Sequence, residues 1–165
     1  MADIKPFYPS IITPTITIAS LASDTSLLIG RQGSKIITNV LDYSVRGKFR
    51  TGTGLTAGRS IELWAVASWD GGTTWPDGFG DADAARTISQ AENKNQCFRL
   101  IASIATSATS NTDYPFSCES IAAIFNGKMP GAWVPWLTQS TGGALNATAG
   151  NHSIQIEPYY ETVTS

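Results

Sequence analysis

Four aspartates fall in one stretch, WDGGTTWPDGFGDAD, at Asp70, Asp77, Asp81 and Asp83. Carboxylates interspersed with glycine are what a hard cation such as calcium takes from a flexible loop, and a pair of carboxylates flanking a sugar is what glycoside hydrolysis uses. The spacing does not build an EF-hand, because no glutamate stands where that loop needs its last ligand. Aspartate beside glycine is also the ordinary chemistry of turns, and that is the reading adopted for these four. A serine or cysteine nucleophile needs a base, and the single histidine, His152, stands just ahead of a terminal strand. A Cys97/His152 or Cys118/His152 pair is set aside, since a lone histidine is more often a surface or satisfied core residue. Zinc would need a fuller ligand set than two cysteines and one histidine provide. The nucleophile elbow, the P-loop and the dinucleotide fingerprint do not occur. The expectation is a protein without catalytic residues, without a bound metal and without a cofactor, its cysteines buried as free thiols.

Five tryptophans offer stacking surface rather than reactivity. Trp64 and Trp69 fall in or at the end of a strand, which predicts core positions. Trp75, beside Pro76 in a long loop, is the candidate for an exposed contact. Arg46, Lys48 and Arg50, extended by Arg59, form a basic stripe on one strand face. No aromatics interleave on that parity, so the stripe does not resemble a platform for single-stranded nucleic acid. A formal net charge of −2 with 15% charged residues gives no attraction to nucleic acid or to anionic membranes. Apolar runs long enough to span a bilayer do not occur, and Met1 to Ser10 does not read as a secretory signal.

The elements that hold these residues read as strands. Tyr43, Val45 and Phe49 alternate with Ser44, Arg46, Lys48 and Arg50, and Ile61, Leu63, Ala65, Ala67 and Trp69 resume the alternation after a glycine-rich turn. This predicts a β-hairpin. Further strands are predicted at Leu27 to Ile29, at Lys35 to Tyr43, around Phe98, Leu100, Ala102 and Ile104, at Trp133 to Thr138, and from Ile154 to Tyr160. Between Asp70 and Asn95 the pattern gives way to a long loop, in which Asp81 to Gln90 predicts a short helix. The first twenty residues, with Pro6, Pro9 and Pro14, read as an extended arm. Ile12, Pro14, Ile16 and Ile18 share its apolar parity, which suits either an edge on its own domain or a neighbouring subunit. The predicted organisation is therefore an arm over residues 1–20 and one all-β domain over residues 21–165. About seven to nine short strands without regular helix insertions predict an antiparallel β-sandwich, jelly-roll by preference. The strands from Lys35 onward are expected to suffice for two sheets without Met1 to Ala19.

Two long runs, DYSVRGKFRTGTGLTAGRSIELWAVASWDGGTTWPDGF and PFSCESIAAIFNGKMPGAWVPWLTQSTGGALNATAGNHSIQIEPYYETVT, with CFRLIASIAT between them, carry a resemblance. Over roughly Asp42 to Thr164 the chain resembles small virion structural proteins of tailed bacteriophages, in particular capsid decoration, or cement, proteins. The resemblance implies a β-sandwich or jelly-roll fold that binds the outside of a shell, with the major capsid protein as partner and with self-association as a homodimer or homotrimer. It also implies a location on the capsid exterior and, for the chain itself, synthesis in the bacterial cytoplasm. The contact residues expected on that basis are Phe7, Tyr8, Ile12 and Ile16 of the arm, with Trp75 and Phe79 at the tip of the acidic loop. A carbohydrate-binding or tail-fibre module, reading glycans through Trp75 and the aspartates, is the alternative.

Overall fold

The computed structural model describes the backbone of residues 3–7 and 10–164, and the side chains of residues 10–94 and 98–161. Ten strands occur among the described residues: β1 (Asp3–Phe7), β2 (Ile29–Gln32), β3 (Ile36–Ile37), β4 (Asp42–Arg50), β5 (Arg59–Ser68), β6 (Ala84–Thr87), β7 (Phe98–Thr106), β8 (Asp113–Cys118), β9 (Ala132–Gln139) and β10 (Ser153–Thr164). Two short helices, α1 (Ala91–Cys97) and α2 (Ile121–Ile124), join them. Every pairing is antiparallel, so the all-β expectation holds. One sheet has the order β1-β10-β4-β8; the other has the order β6-β2-β9-β5-β7, with β3 also on β9.

The predicted hairpin across Gly52 to Gly58 does not form. β4 pairs with β10 and β8, whereas β5 pairs with β7 and β9, so the glycine-rich segment carries the chain from one sheet to the other. Competing backbone partners explain the outcome. Thr51 donates to Thr112, Gly52 to Ala144, Thr56 to Thr141 and Gly58 to Thr106, which leaves no ladder for a tight reversal. Alternation correctly identified both strands, but it cannot say which strand lies beside which.

The main core draws on both sheets: Tyr43, Val45 and Phe49 of β4 and Ile154 and Ile156 of β10 meet Ile61, Leu63 and Ala65 of β5 and Trp133 and Leu137 of β9. Close approach of β4 and β10 depends on Gly47, where an added Cβ would lie 2.0 Å from the Ser153 carbonyl oxygen. β9 is buried at every position because its other face is covered too. Val134 and Trp136 join Val66, Phe98, Phe79 and Ile88 in a second cluster outside the larger sheet. Pro135 is tolerated in this central strand because β2 and β3 are interrupted opposite it, and only its carbonyl is needed, to accept from Gly33.

β7 departs from simple alternation. Leu63 pairs with Ala102 but Trp64 pairs with Leu100, so Ile101 is an extra residue. Phe98 therefore faces the outer cluster, while Ala102 and Ile104, of the same parity, pack with Ile101 on the main core. The segment from Asp81 to Gln90, predicted as a helix, contains β6, and the helix comes later as α1. Edge pairing with β2 decides this, because Ile29 to Gln32 aligns with Ala84 to Thr87 and satisfies the backbone there.

Pro14, Ile16 and Ile18 of the predicted apolar parity lie against the chain's own body, whereas Ile12 is exposed. β1 is the edge strand beside β10, where Pro6 opposite Glu161 costs no central ladder bond. Ile12 bridges Ile156 further along, Pro14 and Ile18 are buried, and Ile16 packs on the main core. Thr15 exchanges hydrogen bonds with Ser34, and the Thr17 hydroxyl donates to Asp83 at 2.5 Å.

Candidate functional site

The long loop is not a free acidic tip but a strap over the outer face of the larger sheet. Gln32, fully buried on β2, accepts from Gly80 N–H and from Arg86 Nε at 2.8 Å, while its Nε2 donates to the carbonyls of Gly80 and Ala82. Arg31 Nε donates to Asp83 at 2.5 Å, and Lys35 is hydrogen-bonded to Asp81. Asp77 accepts from the Ser89 backbone N–H at 3.0 Å and from its hydroxyl at 2.8 Å. Asp77, Asp81 and Asp83 thus accept from Ser89, Lys35 and Arg31, donors distant in the chain, whereas Asp70 holds a local turn through the N–H groups of Thr73 and Thr74. Among the described residues no cluster of three histidine, cysteine or carboxylate side chains has the arrangement of a metal site.

Burial would raise the Asp83 pKa, but the Arg31 hydrogen bond, the Thr17 bonds and the Arg31 charge together hold it below the ordinary value. A carboxyl with a depressed folded pKa contributes stability that is complete above its unfolded pKa, about 3.9, and is lost as pH falls through the folded value. The urea midpoint is therefore expected to drop between about pH 5 and pH 2, with a shallower decline in Asp83→Asn. Equal acid slopes for the two proteins would show that the strap is not tied down through this carboxylate.

Phe79, expected at an exposed tip, is 6% exposed and packs edge-on against Phe98 and Trp136, so it is an anchor of the strap and not a surface contact. Trp75 is half-buried, and its Nε1 donates to Gly72 O at 3.0 Å and Asp81 Oδ1 at 3.2 Å. Trp69 reverses its expectation as well: it is 58% exposed. Its parity continues that of Ile61, Leu63, Ala65 and Ala67, but β5 ends at Ser68 and the inward direction there opens beside Phe125 instead of entering the core. Trp69, Asp70, Thr74, Trp75, Arg99 and Phe125 border a cleft of about 660 Å³.

The other expected site residues are scattered. Ile12 is exposed beside β10, Ile16 is half-buried on the main core, the Phe7 backbone pairs with Tyr160, and Tyr8 lies outside the described residues together with the Phe7 side chain. The basic stripe is matched within the chain: Arg46 lies 3.6 Å from Glu157, and Asp113 lies 3.1 Å from Lys48 and 3.8 Å from Arg50. His152 is a fastener. Its Nδ1 accepts from Arg50 N–H at 3.3 Å and its Nε2 lies 2.9 Å from Asn146 O, joining β4 to the Gly143–His152 block. Cys118, partly buried, pairs with Val45 of β4, five residues along that strand from Arg50. The Cys97 side chain, and with it any pairing of the two cysteines, lies outside the described residues.

Sequence reading missed the buried Lys94–Glu62 pair, at 2.5 Å, and the role of Gln32, because both partners in each case come from segments distant in the chain. Among the described residues no helix is long and apolar enough to cross a membrane. Compared with protein-family models, with curated proteins and with solved structures, the chain matches none.

Proposed function

We propose that this protein is a bacteriophage virion structural protein of the capsid decoration type, a β-sandwich of jelly-roll character that attaches to the outside of a shell and stabilises it across subunit joints. The observation that carries the reading is an apolar rim at one end of the body. Ile37 is 62% exposed on β3 and Leu41 is 53% exposed just ahead of β4. Ile37 pairs with Ala132, which pairs in turn with Ser68, so this rim lies beside the end of β5. Leu41 donates its N–H to Tyr159 O, which brings the same rim to β10. Large apolar side chains gathered at one end of a polar surface mark a place where another protein sits. Contacts made only in the assembled particle stabilise both partners by mass action.

The major capsid protein is the proposed partner, and self-association as a dimer or trimer would use the same rim. Arg46, Lys48 and Arg50 are paired within the chain and Ile16 packs on its own core, so the proposal is built on the rim. Catalysis, nucleic-acid binding and membrane binding form no part of the proposal.

Ile37→Ser combined with Leu41→Ser should fold normally, because both side chains are exposed, yet lose co-sedimentation with shells stripped of the parent protein. Light scattering coupled to gel filtration would report any accompanying loss of oligomer. Undiminished attachment by the double variant would remove the rim from the proposal, and a map of intact particles without density for this chain would remove the shell reading itself.

A further inference from the structure

We propose that the cleft between Trp69 and Trp75 is a saccharide site, taking a pyranose stacked on the exposed part of the Trp69 indole. The inference does not rest on the virion reading. Trp69 is more exposed than a packing role requires, yet it is braced: the Phe125 ring meets it edge-on at 6.0 Å and 85°, and Lys128 Nζ lies 6.0 Å from its centroid. Trp75 is oriented in advance by the two hydrogen bonds of its indole N–H, so little side-chain freedom remains to be lost when a ligand arrives. A pyranose offers an apolar C–H face to such rings and hydroxyls around its rim.

The polar groups at the cleft match that rim. Asp70 Oδ1 accepts from the Ser68 hydroxyl at 2.7 Å and from the N–H groups of Thr73 and Thr74 at 3.1 and 2.9 Å, while Oδ2 receives none of these bonds. The Ser68 hydrogen bond first, and then those from Thr74 and Thr73, hold the Asp70 carboxyl far below the usual range, so it is an acceptor at every physiological pH. Arg99 stands on the cleft wall, where its Nη1 donates to Phe98 O at 2.9 Å, and Lys128 brings a second positive charge beside Trp69. A proline-rich peptide also seats in aromatic grooves, but its prolines have no N–H to give the Asp70 carboxylate. Sugar hydroxyls do.

Calorimetric titration with cellobiose, maltose and N,N′-diacetylchitobiose, and with a proline-rich decapeptide for comparison, tests the assignment. At least one disaccharide should bind saturably. Trp69→Ala should weaken it by about tenfold or more, the size of a lost aromatic contact, with an unchanged circular dichroism spectrum. Trp69→Phe should retain part of the affinity, and Ile37→Ser all of it, which separates this site from the apolar rim. Binding of none of the sugars, binding of the peptide alone, or equal sugar affinity in Trp69→Ala would overturn the proposal.

Discussion

Deleting Met1 to Ala19 is expected to bring the chain to the edge of unfolding. The strands from Lys35 onward cannot close the core by themselves, because Ile18, 5% exposed, is part of the main cluster and Ile16 packs against it. Removing one buried side chain of that size costs about 2–5 kcal/mol, against a total stability of about 5–15 kcal/mol for a domain. The deletion takes Ile16, Pro14 and the two hydrogen bonds between Thr15 and Ser34 as well. A shorter deletion, of residues 1–10, spares every one of these contacts and should leave a cooperative transition close to that of the parent. Urea unfolding followed by circular dichroism distinguishes the two. A melting transition unchanged by the longer deletion would mean that Ile16 and Ile18 are not core residues of their own domain.

Glu62→Ala should be nearly as damaging, although it removes only one partner of a single ion pair. Lys94 is 7% exposed; its Nζ lies 2.5 Å from Glu62 Oε2, 3.2 Å from Leu27 O and 4.5 Å from the Trp64 ring centroid. Without the carboxylate the ammonium is left buried with one carbonyl and an aromatic face, and breaking such a pair typically costs about 3–5 kcal/mol. The Trp64 N–H loses its acceptor in the same step. Replacing both members, Glu62→Leu with Lys94→Met, should recover most of the loss, since apolar groups of similar volume are often as stable as the pair they replace. Urea midpoints for the parent, each single variant and the double variant complete the cycle. A cost near the 0–1 kcal/mol of a surface pair would show that water reaches Lys94 freely.

Local chemistry was legible in the sequence wherever the cause lies within a few residues. Alternation from Tyr43 to Phe49 and from Ile61 to Ala67 placed two strands and the faces they bury, because a strand's period of two is a property of the backbone alone. Asp70 beside Gly71 formed a turn for the same local reason, and Pro14, Ile16 and Ile18 of the apolar parity turned inward while Ile12 stayed exposed. Only the tertiary structure decided what each face met. β4 and β5 went to different sheets because their connecting loop found better backbone partners in Thr112, Ala144 and Thr141. An extra residue at Ile101 turned one parity of β7 toward two different cores, and an isolated pattern carries no sign of such a bulge. Asp81 to Gln90 yielded to edge pairing with β2, which outweighs a weak helix propensity once four backbone positions align. Trp69 and Phe79 exchanged their expected places for a geometric reason. The strand carrying Trp69 ends at the margin of the body, and the loop carrying Phe79 is drawn down by Gln32, so exposure at both depends on segments that the chain brings together only on folding.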